Sequence, residues 1–230
     1  MTTTMAAPPI FKTSIGKKVL MATSGLILLL FVIAHMLGNL KAWLSGRELD
    51  AYSEFLRRMG EPIAPHSWVL WIVRIIVFAA FAVHIYLAIE LSVRNRRARQ
   101  QRYAHPGHVQ ANPAAFTMRW GGLAIFLFVI FHLANFTWGW IHPDYVFVRG
   151  AVYHNVLGAF NVWWITVIYV LAMAALALHL YHGTWSMFQT WGVNNQRWDL
   201  IIRRSATALA IVIFLGYISV PIGVLTGGLK

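Results

Sequence analysis

The sequence predicts an all-α integral membrane protein with five transmembrane helices, and three observations predict it. Hydrophobic residues make up 59% of the 230 positions against 11% charged, and mean hydropathy is +0.61, too apolar for a water-facing surface. The apolar residues gather into five runs long enough to cross a hydrocarbon core of about 30 Å, which needs roughly 20 helical residues. Lys and Arg outnumber Asp and Glu by 19 to 7, but in short clusters between those runs. A nucleic-acid binder would display such an excess on a polar domain, so no nucleic-acid partner is expected.

Taken in order, the spans run approximately over 19–43, 68–93, 119–141, 158–185 and 201–225, in one membrane domain covering 1–230. Lys17 and Lys18 precede the first run as in a leader, but the run outlasts a secretory h-region and lacks a small-residue cleavage site, so it reads as the first span. Between the first two spans, Ser45 to Glu48 reads as a capping box. Leu49, Tyr52, Leu56 and Met59 share one face before Gly60 and Pro62, which predicts an amphipathic helix over about 46–59 lying on the outer surface against lipid.

Basic residues orient the chain. One side of the membrane receives twelve of them: Lys12, Lys17, Lys18, Arg94, Arg96, Arg97, Arg99, Arg102, Arg119, Arg197, Arg203 and Arg204. The other receives Lys41, Arg47, Arg57, Arg58, Arg149 and Lys230, diluted by Glu48, Asp50, Glu54 and Glu61. The N-terminus is therefore expected in the cytoplasm, the protein in the cytoplasmic membrane, and the Arg-rich second loop where anionic lipid or a soluble partner could dock. Trp43, Trp68, Trp120, Trp138, Trp140 and Trp185 fall near span ends, as interfacial belts do.

With no cysteine, this chain can hold no disulfide, Cys-ligated zinc, iron–sulfur cluster or thiol nucleophile. Histidine remains as the soft metal ligand. Each of the first four spans carries one inside it: His35, His84, His132, and His179 with His182 one turn further on; the fifth carries none. Intramembrane histidines face a bundle interior and need partners. His35 and His132 lie 8 and 9 residues from the outer ends of their spans. His84 and His179 lie 9 and 6 residues from the cytoplasmic ends. Two pairs on non-consecutive helices, at two depths, suit bis-imidazole axial ligation of two haems in a bundle formed by the first four helices. Ser24 and Gly121 each precede a histidine by 11 residues, about three turns, leaving room on the same face at the inner depth; Gly25 and Gly122 widen it. Small residues also mark ordinary helix contacts in membranes.

Five helices, a cytoplasmic N-terminus, the ordered histidines and the His179-Leu-Tyr-His-Gly183-Thr-Trp185-Ser186 segment together resemble the dihaem cytochrome b membrane-anchor subunit of succinate:quinone oxidoreductase and quinol:fumarate reductase, complex II. The resemblance runs over nearly the whole chain and rests on the ordered pattern. It implies a respiratory-chain anchor, linked to the tricarboxylic acid cycle, that holds a flavoprotein and an iron–sulfur subunit on the cytoplasmic side and carries electrons through two haems b to a membrane quinone, menaquinone being the family's frequent choice. It implies His84 and His179 as proximal ligands and His35 and His132 as distal ones. The family's fourth-helix ligand is followed four positions later by glycine; His179 with Gly183 meets that spacing, and His182 is the alternative. The chain would be the membrane subunit of an enzyme, not itself catalytic for succinate, and a higher oligomer of the complex is compatible with its apolar surface.

Bis-imidazole ligation leaves no open coordination position, so chemistry belongs at a quinone pocket with protonatable groups near an interface. Outer candidates are Glu54, Glu61, His66, His142 and Asp144; inner ones are Ser14, Lys18, Glu90, Arg94, Trp185 and Arg203. Arg74, near the outer end of the second span, either pairs a distal propionate or snorkels to headgroups. Other bis-His anchors, of hydrogenase, formate dehydrogenase or nitrate reductase, distribute histidines differently among helices. A haem-free transporter or channel would use them as proton relays, but neither an inverted repeat nor a broken-helix pair is visible.

Overall fold

A computed structural model describes residues 12–98 and 113–230, with side chains of the third span from 118 onward. It is all-α, and no strand occurs among the described residues. Among the described residues seven α-helices follow in order: α1 Ser14–Asn39, α2 Gly46–Arg58, α3 Trp68–Ala98, α4 Pro113–His132, α5 Val152–Asn161, α6 Trp163–Thr190 and α7 Asp199–Leu225. Five of them, α1, α3, α4, α6 and α7, are long and apolar enough to cross a membrane. The protein is a multi-pass membrane protein. The Arg99 and Arg102 part of the expected docking loop lies outside the described residues.

Local chemistry sets several boundaries. Thr13 Oγ1 accepts from Gly16 N at 3.0 Å, so α1 begins five residues before the expected Val19, and a 3-10 turn over Leu40–Trp43 completes the span. Ser45 caps α2 by accepting from Glu48 N at 3.1 Å. Leu49 is buried and Tyr52, Leu56 and Met59 half-buried, while Gly60 ends the segment at φ +94°, a left-handed conformation suited to glycine. On α3 the helix runs to Ala98, past the expected Val93. Glu90 bonds Lys17 of α1 and Arg94, which anchors this extension.

Two spans differ from expectation more deeply. The fourth begins at Trp163 rather than Gly158, because Val162 adopts an extended φ −84°, ψ 105° and separates α5 from α6. Thr166 Oγ1 donates to Phe160 O across the break at 2.9 Å, and Ala159 and Phe160 are buried. The third span does not run straight to Ile141. A π-turn over Leu133–Thr137 ends it, and the backbone curls so that Trp140 N donates to Ala134 O at 2.8 Å.

Helix α1 packs against α3, α6 and α7, and α6 packs against α4 and α7. Phe81 of α3 stacks on Phe126 of α4 at 6.3 Å between ring centres. Helices α2 and α5 pack together at one end, over a core of Ala42, Leu49, Ala159, Phe160, Ile165, Tyr169, Val220 and Val224. We call this the cap end; the end bearing Lys17, Arg94 and Arg203 is the basic end. Much of the outer surface is apolar: Ile75, Phe78, Leu127, Leu171 and Leu215 are all exposed, as suits lipid. Trp43, Trp68, Trp120, Trp138 and Trp140 are exposed as interfacial belts would be, whereas Trp185 is half-buried in the α6/α7 joint.

Candidate functional site

The four single histidines meet in two pairs inside the bundle. His35 of α1 and His132 of α4 stand 5.8 Å apart between ring centres, and His84 of α3 and His179 of α6 stand 6.2 Å apart. Ser24 Oγ lies 3.3 Å from His84 Nδ1, so the basic-end pair sits at the level of Ser24. His35 is eleven residues further along α1, which at 1.5 Å per residue stacks the pairs about 16 Å apart along the axis. His182 joins neither pair; its ring meets Trp185 edge-on at 5.9 Å.

Each pair is tested by geometry. Two imidazole nitrogens, each about 2 Å from a metal between them, would hold their ring centres roughly 6 Å apart. Both pairs match that spacing, and direct hydrogen bonding within a pair is not what joins them. Among the described residues no cluster of three or more His, Cys, Asp or Glu exists to hold a bare ion. A pair of imidazoles suits a metal that brings its remaining donors with it in a macrocycle. The rings are also half-buried rather than sealed by neighbours.

Hydrogen bonds further define two ligand atoms. His84 Nδ1 lies 3.2 Å from Met21 O. A carbonyl can only accept, so Nδ1 carries the proton and Nε2 keeps the lone pair. Ser24 donates to the same carbonyl at 3.0 Å. His132 Nδ1 lies 3.1 Å from Tyr169 Oη, whose own hydrogen goes to Asn135 Oδ1 at 3.2 Å, so here too Nδ1 donates and Nε2 is free. By contrast, Nδ1 of His179 and of His182 are buried and have no hydrogen-bond partner among the described residues.

Small residues give the basic-end pair its space. A Cβ on Gly25 would lie 3.3 Å from His84 Cε1, and one on Gly122 would lie 3.9 Å from His179 Cε1. A Cβ on Gly121 or Gly183 would meet nothing within 4 Å. A cavity of about 280 Å³ opens beside His179, lined by Gly121, Ala124, Ala175, Met118, Trp120 and Leu178. The room expected from Ser24 and Gly121 is thus present, although Ser24 also serves as a hydrogen-bonding neighbour of His84.

The interfacial candidates fall into separate groups. At the basic end, Glu90 bonds Lys17 and Arg94 through Oε1 while its Oε2 is buried without a partner among the described residues. On the opposite flank, Asp199 accepts from Trp185 Nε1 at 3.1 Å, Asn194 at 2.9 Å and Arg203 at 2.7 Å, with Arg203 also 3.9 Å over the Trp185 ring. Ser14 and Lys18 are exposed. At the cap end Glu54 pairs with Arg57, and Glu61 pairs with His66 and Arg58, contacts that hold the Glu61 carboxyl below its ordinary 4.5. His142 Nδ1 lies 3.2 Å from Tyr145 O. Asp144 and Tyr145 line a cavity of about 390 Å³ with Asn161, Trp163 and Trp164, and burial pushes the Tyr145 phenol up. Arg74 is exposed and covers the Trp71 ring at 4.9 Å.

Sequence reasoning missed Tyr169, Asn135 and Asp199. Asn135 carried a readable signal, as an amide three residues after a candidate ligand within an apolar run. Tyr169 carried none. Compared with known protein families, curated proteins and solved structures, the chain matches none.

Proposed function

We propose that the chain is the dihaem cytochrome b anchor of a succinate dehydrogenase or fumarate reductase, relaying electrons between an iron–sulfur subunit and a membrane quinone. The observation that carries the reading is the pair of cross-bundle imidazole spacings, 5.8 and 6.2 Å, stacked about 16 Å apart in one bundle. His35 and His132 would hold one haem b, and His84 and His179 the other, each supplying reversible one-electron chemistry when bound.

The chain's own residues do the rest. Met21 O and Tyr169 fix Nδ1 as the protonated nitrogen of His84 and His132, which leaves Nε2 as the donor on each ring. The apolar helices surround both pairs, and the most polar groups lie toward the ends. At the basic end, Lys17, Glu90 and Arg94 on one flank, and Trp185, Asp199 and Arg203 on the other, offer donors and carboxylates where a quinone's carbonyl oxygens must gain or lose protons. The excess of Lys and Arg at that end supports its placement in the cytoplasm, with the iron–sulfur and flavoprotein subunits docking there and the cap end outside.

A reduced-minus-oxidised spectrum and a haem assay of the purified, haem-replete protein test this reading. Two haems b per chain are expected. His84→Ala and His179→Ala should remove the same haem, His35→Ala and His132→Ala the other, and His182→Ala neither. Absence of b-type bands from the wild type would overturn the assignment, and loss of a haem from His182→Ala with none from His179→Ala would reassign the fourth ligand. Copurification with the soluble subunits and a succinate:quinone assay test the anchoring role.

A further inference from the structure

The two histidine pairs sit in different hydrogen-bonding surroundings, and the difference centres on α6. Tyr169 is 6% exposed and lies among Phe128, Phe131, Phe136 and Phe160, with the Phe128 and Phe160 ring centres each 4.9 Å away. Its hydroxyl receives His132 Nδ1–H at 3.1 Å and donates to Asn135 Oδ1 at 3.2 Å. Asn135 is fully buried in the π-turn, and its Nδ2 donates to Ile141 O at 2.6 Å and to Tyr145 Oη at 3.3 Å. An imidazole, a phenol, an amide and a curled backbone thus follow one another in a single direction of donation. At the basic end, His84 leans on a backbone carbonyl and His179 Nδ1 has no partner among the described residues.

We infer that Tyr169, held by Asn135, is a positioning residue for His132 that makes the cap-end imidazole a stronger donor and so sets the cap-end haem to a lower potential than it would otherwise have. This rests on the haem reading above. A hydroxyl that gives its own proton to an amide oxygen is polarised and accepts more strongly. Drawing on Nδ1–H raises electron density at Nε2, and a more basic axial ligand favours the oxidised metal. The curl after the π-turn has a use here, since it returns Ile141 O to within 2.6 Å of Asn135 Nδ2 and so holds the amide with its Oδ1 toward Tyr169.

Equilibrium redox titration of the holoprotein, followed at the b-type absorbance, is the test. The cap-end wave is identified as the one that His35→Ala abolishes. Tyr169→Phe keeps the ring and removes the hydroxyl; it should retain both haems and raise the cap-end wave by up to about a tenfold change in its reduced-to-oxidised ratio, about 59 mV for one electron, with the other wave in place. The double variant Tyr169→Phe with Asn135→Leu leaves no orphaned amide and should show the same shift. The inference is overturned if the cap-end wave stays or falls, if the basic-end wave moves instead, or if both variants lose the cap-end haem, which would make Tyr169 a packing residue. A wild type without haem would instead remove the function proposed above, a result distinct from an unmoved wave.

Discussion

Replacing Gly121 by Leu separates a cofactor space from an ordinary packing defect, because the two readings predict opposite signs. A Cβ at Gly121 meets nothing within 4 Å, and the residue lines the 280 Å³ cavity beside His179. Four added carbons, each displacing roughly a water's share of about 30 Å³, would take up about 120 Å³ of it. An enclosed void would return about 24 cal/mol per Å³, about 3 kcal/mol for that volume; the space beside His179 opens onto the surface past the exposed Trp120 and Leu178, so the gain for the haem-free protein is only part of that. Leaving glycine in a helix interior costs about 1 kcal/mol more, which leucine also recovers. Thermal melting of the haem-free protein in detergent should therefore show Gly121→Leu equal to or above wild type. The haem assay should show the reverse, with stoichiometry falling from two to one and the His84/His179 haem the one lost. A variant that still binds two haems would refute the reasoning that this cavity belongs to the basic-end site. A variant that melts well below wild type would refute the claim that the space is free.

Two other outcomes follow from the cap end. Ser45→Ala removes the hydroxyl that accepts from Glu48 N at the start of α2 and should cost about 1 kcal/mol, with Ser45→Gly costing only a few tenths, read as melting differences. His66 first, then Arg58, lower the Glu61 pKa, so this contact contributes fully above the ordinary 4.5 and is lost as pH falls through the lower folded value. The melting difference between wild type and Glu61→Gln should accordingly shrink as pH falls below about 4.5; a difference that instead grows there would contradict that sign.

How far the site could be read in advance depends on the range of the signal. Hydropathy and length place all five spans, since the cost of exposing backbone to lipid is paid segment by segment and shows in composition. The Ser45 cap and the half-buried face of α2 are equally local. The pairing of His35 with His132 and His84 with His179 was legible too, because alternate crossing directions and a fixed rise convert residue numbers into depth, and depth is one coordinate of contact.

Rotation and bending are the coordinates that numbers along the chain do not supply. The extended Val162 looked like the interior of a span, because an apolar run reads the same whether it continues or breaks; packing of α5 against α2 and α7 accompanies the break. The π-turn after His132 likewise hides in apolar sequence. Tyr169 stands thirty-seven positions from His132 with nothing between to connect them, and only the packing of α4 on α6 brings phenol to imidazole. The sequence alone determined that each of the first four spans would carry an imidazole inside it, His35 and His132 at one depth and His84 and His179 at another. Tertiary structure decided which atom on His84 and His132 carries the proton and what it leans on, because hydrogen bonds between helices depend on their mutual rotation, which no local periodicity encodes.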